Sequence, residues 1–210
     1  MDIAKVIIVD DHIIFRKGLL TVLNEIDNVK VVGEASNGKH LLDLLRKQST
    51  DIIFMDIKMP VMGGVEATKK VLAKYPEIKI IALTMFEEIS YFNEMVEAGA
   101  SGYLLKKTST EELEKAIELV LTDECYFSEE FINSVSKYLK PKRKDTSINL
   151  TEREIEVLEL ICKGFSNADI SKFLGLSPRT IDGHRAKLLE KTGAKNAPNL
   201  VMLALKIGLV

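Results

Sequence analysis

Asp56 follows Ile52-Ile53-Phe54-Met55, a short apolar run of the kind that a strand buried on both faces of a parallel sheet requires. Met59-Pro60 and Gly63-Gly64 come next and cannot prolong a strand. Asp56 is thereby placed at the carboxyl end of a buried strand, where open α/β sheets put their chemistry. Taken alone, it reads as an aspartate that merely closes a strand and starts a loop. A second run, Val6-Ile7-Ile8-Val9, ends on Asp10-Asp11. Three carboxylates in a partly dry pocket repel one another unless a hard divalent cation lies among them, and Mg²⁺ favours such oxygen ligands together with phosphate. The run from Ile78 to Leu83 ends on Thr84, and Gly102-Tyr103-Leu104-Leu105 ends on Lys106. The ends of these runs carry a metal pair, a nucleophilic carboxylate, a hydroxyl donor and a cation for phosphoryl oxygens.

To bring these groups to one rim, the intervening segments must fold back as helices. Phe15, Leu19, Val22 and Leu23 recur at helical spacing and predict a helix over 14–25. Residues 29–35 read as a strand, and Asn37-Gly38 turns the chain into a helix carrying Leu41, Leu42, Leu44 and Leu45. Helices are predicted over 64–75, stopped by Pro76, and over 87–98, stopped by Gly99. Ser109 with Glu112 matches a capping box and opens a helix to about Leu121. Five strands alternating with five helices predict a doubly wound α/β sheet.

Beyond Cys125-Tyr126-Phe127-Ser128 the pattern changes, with a further helix predicted over 129–139. Lys140 to Ser147 is charged and broken by proline, so a solvated tether is favoured over a segment that touches phosphates. Thr151 with Glu154 caps a helix that ends at Gly164, and Ser166 opens a second helix running to Leu174. After the tight Gly175-Leu176-Ser177 connection, Ser177-Pro178 starts a third helix reaching Thr192. Short helices joined through a glycine turn make a helix-turn-helix unit, and a fourth helix is predicted over 197–207. Three segments follow: 1–122, a connecting helix and linker over 123–148, and 149–210.

Charge separates these segments although the net value of the 210-residue chain is only −2. Residues 1–128 hold 15 basic against 21 acidic groups, whereas 149–210 hold 9 against 7. This asymmetry points to different partners, but the basic excess alone is too small to establish nucleic-acid binding. Cys125 and Cys162 fall in different segments, with no disulfide framework or metal-binding spacing, as a reducing compartment requires. A strand begins almost at the first residue, leaving no room for a signal peptide, and no run approaches membrane-spanning length. A cytoplasmic protein without a membrane partner is expected.

The ordered set Asp10, Asp11, Asp56, Thr84 and Lys106, with Met59-Pro60-Val61-Met62-Gly63-Gly64, resembles the receiver domain of two-component response regulators. Leu150 to about Leu205 resembles the four-helix DNA-binding domain of the LuxR or NarL/FixJ class. The matching residues are Leu150-Thr151-Glu152-Arg153-Glu154, Gly164, Ser166-Asn167, Ile170, Leu174, Leu176-Ser177, Thr180-Ile181 and His184. The resemblance implies a flavodoxin-like, five-stranded parallel receiver followed by an all-α helix-turn-helix domain. It further implies phosphorylation of Asp56 by a sensor histidine kinase, with Mg²⁺ on Asp11, Asp56, nearby Asp10 and the main-chain carbonyl of Lys58. Thr84 and Lys106 would hold the phosphoryl oxygens. Tyr103 reads either as a ring that switches rotamer with Thr84 or as a plain buried strand tyrosine. Lys107 stands where many receivers carry proline, and Met85 is bulkier than the small residue common beside the hydroxyl.

The third helix of the tail would then read duplex DNA through Arg179, Thr180, Asp182, Gly183, Arg185 and Lys187. Asp182 and Gly183 depart from the family's usual chemistry: an acid opposes phosphate but accepts from a cytosine amino group, and glycine lets the backbone approach closely. His184 is assigned to structure. The last helix is expected to expose Leu200, Val201, Leu203, Ala204 and Ile207, part of a face that pairs two phosphorylated chains on a two-half-site operator. RNA polymerase is a further possible partner. An aspartyl-phosphate phosphatase would need a second acid two residues after its nucleophile. Lys58 occupies that place, so turnover of external substrates is not expected.

Overall fold

The computed structural model describes residues 3–85, 91–138 and 148–209. The expected tether over 140–147 and the start of the helix expected from residue 87 lie outside them. Strands β1 (Ala4–Val9), β2 (Val29–Ala35), β3 (Ile52–Asp56), β4 (Lys79–Thr84), β5 (Gly102–Leu105) and β6 (Tyr126–Phe127) form one parallel sheet in the order β2-β1-β3-β4-β5-β6. Helices α1 (Ile13–Glu25), α2 (Gly38–Leu45), α3 (Gly64–Lys74), α4 (Phe92–Ala98) and α5 (Thr110–Leu121) connect them. The sixth strand corrects the five expected. Tyr126 and Phe127 pair with Gly102 and Tyr103, and two residues are too few for a periodic signal in sequence.

Strand alternation divides the core. Val6, Ile8, Ile52, Phe54, Ile81, Leu83 and Leu104 face α1 and α5. Ile7, Val9, Ile53, Met55, Ile80, Ala82, Tyr103 and Leu105 belong to a second core. This second core does not stop at the sheet. Through Phe127 and the Phe131, Ile132 and Val135 side chains of α6 (Glu129–Tyr138), it continues into the carboxyl-terminal helices. There α7 (Glu152–Cys162), α8 (Asn167–Leu174), α9 (Pro178–Thr192) and α10 (Ala197–Lys206) contribute Val157, Leu158, Ile170, Ile181, Leu188 and Leu200.

Local chemistry explains most helix starts. The boxes Ser109/Glu112 and Thr151/Glu154 form as the spacing predicts, and Ser166 with Asp169 makes a third. Ser177 accepts from Thr180 N while Pro178 occupies the first turn of α9. Gly175, at φ +63°, ends α8 in the left-handed conformation that lets the chain turn tightly into α9.

The loop leaving Asp56 is confined. A Cβ on Gly64 would lie 2.2 Å from the Asp56 carbonyl oxygen, so only glycine lets α3 start directly beneath the strand end. Val61 holds φ +70° although it is β-branched and 80% exposed. That conformation costs a β-branched residue about 1–2 kcal/mol and returns no packing at this exposure. Val61→Asn, whose side chain tolerates the left-handed region, is expected to raise the unfolding free energy by about 1 kcal/mol. Urea denaturation checks this, and an unchanged or lower midpoint would contradict it.

Candidate functional site

Parallel register brings the expected residues to one rim. Val9 pairs with Met55 and Asp56 with Leu83, so Asp10, Asp56 and Thr84 leave neighbouring strands at nearly the same level. Asp10 and Asp56 are buried, at 0% and 1% exposure, and Asp11 is partly exposed. The Lys106 ammonium, 6% exposed, reaches Asp10 Oδ2 at 2.9 Å and Asp56 Oδ2 at 3.0 Å. Ile57 N–H donates to Asp56 Oδ1 at 2.8 Å, which orients the carboxylate and leaves Oδ2 toward Lys106. Arg16 Nη1 donates to the Asp10 carbonyl at 2.6 Å and Nε to Glu34 at 3.0 Å, pinning the end of β1 to α1.

Burial pulls the Lys106 ammonium toward a lower pKa, but hydrogen bonds and charge from Asp10 and Asp56 outweigh it and hold the group above the ordinary lysine value. A raised pKa contributes stability that is complete below the unfolded lysine value and is lost as pH rises through the folded one. The cation is therefore fully charged at neutral pH.

Asp11 Oδ1 is buried without a hydrogen bond of proper geometry. One donor atom each from Asp10, Asp11, His12 and Asp56 lies within 4.8 Å of all the others. An oxygen-rich set of this kind with an unsatisfied buried acceptor fits a divalent cation. Lys58 is exposed beside a cleft lined by Asp11, Met59, Pro60, Glu66 and Tyr91. The buried Thr84 hydroxyl donates to the Met85 carbonyl at 2.9 Å. Met85, 55% exposed, lines the neighbouring opening with His12, Ile14, Phe15 and Lys107. No peptide bond among the described residues is cis, that of Lys107 included, and Lys107 pairs with Glu130 of α6 at 2.5 Å.

Tyr103 is fully buried, and its hydroxyl donates to the Phe92 carbonyl at 3.2 Å. Its ring stacks on Phe127 and Phe131 at 5.4 and 5.3 Å and meets Phe92 edge-on at 4.9 Å. A strand residue three places before the site lysine is thus packed against the connector that leads out of the sheet.

At the far end of that connector, the third tail helix is partly covered. Arg179, Thr180, Asp182, Gly183 and Lys187 are exposed on α9, and a Cβ on Gly183 would meet nothing within 4 Å. Arg185 is not free. Its guanidinium, 14% exposed, lies 2.5 Å from Asn167 Oδ1 and 3.4 Å from Glu124 Oε2, just before β6. The same Glu124 oxygen accepts from Asn167 N at 2.8 Å, while Asn167 Nδ2 donates to Asp182 Oδ1 at 2.8 Å. His184 is partly buried.

The expected exposure of α10 is corrected. Leu200, Val201 and Ala204 are fully buried, and Leu203 and Ile207 are partly buried. The helix packs not only on α7 and α9 but also on α4 and α6, a partner surface that amphipathicity cannot disclose. Sequence reasoning also missed Glu124 and His12 as participants. An imidazole directly after two aspartates was a usable signal for the second, whereas nothing local marked the first.

Residues 6–118 match the family described as the response regulator receiver domain, and residues 148–204 match the bacterial regulatory proteins of the luxR family. The chain is 36% identical over 208 residues to the response regulator GacA of Pseudomonas aeruginosa, covering 98% of this chain and 97% of that protein. It is 34% identical over 210 residues to the oxygen regulatory protein NreC of Staphylococcus aureus, covering 96% and 97%. Among solved structures, it is similar to the response regulator ChrA of a heme-sensing two-component system, at TM-score 0.57 and 28% identity over the whole of both chains. RcsB of Salmonella enterica serovar Typhimurium, bound to promoter DNA in the presence of phosphomimetic beryllium fluoride, is similar at TM-score 0.60 and 26% identity. That match covers 98% of this chain and 100% of the RcsB chain. The chain belongs to the response regulators that join a receiver domain to a LuxR-type helix-turn-helix and regulate transcription by binding DNA.

Removing Lys106 leaves two buried carboxylates without their cation, and breaking a buried pair in this way costs about 3 kcal/mol or more. Lys106→Met in metal-free buffer is expected to lower the unfolding free energy by about that amount. Chemical denaturation with EDTA present checks it, and a stability equal to the parent's would show that the two carboxylates are not held by this lysine.

Proposed function

We propose that Asp56 is the phosphoacceptor through which a sensor histidine kinase controls this chain. The reading is carried by the Asp56 carboxylate at the rim, set by the Ile57 N–H on one oxygen and Lys106 on the other. In the transfer, a carboxylate oxygen bonds to phosphorus, the P–N bond of the phosphohistidine breaks and the imidazole keeps the electron pair. Asp10, Asp11, Asp56 and the Lys58 carbonyl would hold Mg²⁺, which supplies charge neutralisation for the incoming phosphoryl group. Lys106 can swing its ammonium from the carboxylates to a phosphoryl oxygen, and Thr84 can trade its bond to the Met85 carbonyl for one to the same group. Lys58 stands where an external phosphatase would need an acid, so the group resides on the protein as a signal.

The output half of the reading is a masked α9. Arg179, Thr180, Asp182, Gly183 and Lys187 are open to DNA, whereas Arg185 is engaged with Glu124 and Asn167. Phosphorylation would release the tail helices from the receiver, free Arg185 and uncover α10, whose Leu203 lines the cleft toward α4. Leu203 would then contribute to pairing of two chains on a two-half-site operator, from which RNA polymerase could be engaged, while Leu200, Val201 and Ala204 stay in the core.

Two measurements test the two halves. Acetyl phosphate with Mg²⁺ is expected to add one phosphoryl group by intact mass, absent in Asp56→Asn; labelling that survives the substitution would remove the assignment. Glu124→Ala, which leaves the exposed α9 residues untouched, is expected to raise the DNA affinity of the unphosphorylated chain about fivefold, as loss of a contact of roughly 1 kcal/mol would. Unchanged affinity in a DNA titration would show that Glu124 does not mask the helix.

A further inference from the structure

His12 is the side chain at the acidic rim that none of these roles uses. It immediately precedes α1, with its ring 67% exposed at the mouth of the site. Its own N–H donates to Asp10 Oδ1 at 2.8 Å, which fixes where the side chain leaves the backbone. From there Nδ1 points back among the carboxylates, 3.0 Å from Asp11 Oδ1, 3.2 Å from Asp10 Oδ1 and 3.9 Å from Asp56 Oδ2.

These spacings are those of donors around one ion. Metal–ligand bonds of about 2.0–2.1 Å put neighbouring donors of an octahedron roughly 3 Å apart and opposite donors roughly 4 Å apart. The same distances also suit hydrogen bonds from a ring N–H to the carboxylates, so the donor chemistry distinguishes the two cases. Carboxylate and carbonyl oxygens alone suit Mg²⁺, whereas a neutral imidazole adds a nitrogen ligand that Mg²⁺ uses poorly and first-row transition metals favour. We propose that His12 Nδ1 makes this rim a site for transition-metal dications as well as for Mg²⁺, with the ring proton carried on Nε2. The inference rests on the reading of the rim as a divalent-cation site, and it identifies His12 as the residue that sets which cations are accepted.

The test uses the full-length protein, titrated calorimetrically with cobalt chloride and, separately, with magnesium chloride. His12→Ala removes the ligand, and His12→Asn keeps a hydrogen-bonding group for the carboxylates. Because the ring is exposed and makes no helix-capping bond, both variants are expected to fold as the parent does. In both, Co²⁺ affinity should fall by about tenfold or more while Mg²⁺ affinity stays within about twofold. Electron spin-echo modulation of the Mn²⁺-loaded parent should show a directly coordinated nitrogen that both variants lack. Equal losses for Co²⁺ and Mg²⁺, retention of Co²⁺ affinity in His12→Asn, or absence of the nitrogen signal would overturn the proposal. A parent that binds Mg²⁺ but whose Co²⁺ affinity ignores His12 refutes this inference alone. A parent that binds neither ion refutes the cation site with it.

Discussion

Two buried carboxylates share one ammonium at the carboxyl end of this sheet, and the rest of the molecule is arranged around that unequal balance. Asp10 and Asp56 are almost without solvent, and Lys106 supplies their ion pairs at 2.9 and 3.0 Å. Asp11 adds a third carboxyl group beside them. A site with more negative charge than its own cation can neutralise is poised to take up positive charge, and under the proposed function it would change character sharply as a phosphoryl group drew Lys106 away. The glycine at position 64 and the strained backbone of Val61 belong to the same construction, since both keep the loop after Asp56 tight against the strand end.

Packing offers a route by which that local change reaches the DNA-binding half. Lys106 follows β5 directly, and Tyr103 of that strand stacks on Phe127 and Phe131. Those rings belong to β6 and α6, the elements that carry the chain toward the tail, and Lys107 pairs with Glu130 on α6. Phe131, Ile132 and Val135 share one continuous core with α7 and α10. Each buried aromatic pair contributes on the order of 1 kcal/mol beyond its area, so a shift of β5 against this cluster is energetically comparable to a polar contact such as Glu124 with Arg185. In the proposed release of α9, switch and lock would be of comparable size, as a reversible signal requires.

The receiver rim was legible because its residues sit where apolar runs end, and strand ends are what parallel register aligns. The helix-turn-helix frame was legible for a different reason: Thr151, Ser166, Ser177 and Gly175 write their caps and turn directly into local sequence. What escaped detection was tertiary. Tyr126-Phe127 is too short to show a strand period, and it becomes one only because β5 offers an edge. Leu200, Val201 and Ala204 look like a surplus apolar face until α10 is seen to pack on α4 and α6 as well as on α7 and α9. Arg185 looks like any basic residue on α9 until Glu124, 61 positions earlier, is found beside it.

The claim on which these connections converge is that charge chemistry at Asp56 governs whether the receiver covers α9 and α10. Hydrogen–deuterium exchange over Pro178–Thr192 and Ala197–Lys206, measured with and without acetyl phosphate and Mg²⁺, tests it most directly. Faster exchange in α10, α4 and the Asn167 amide on phosphorylation, with no change in Asp56→Asn, is the predicted result. Identical protection in the phosphorylated and unphosphorylated chains, at confirmed stoichiometric phosphorylation, would contradict the account.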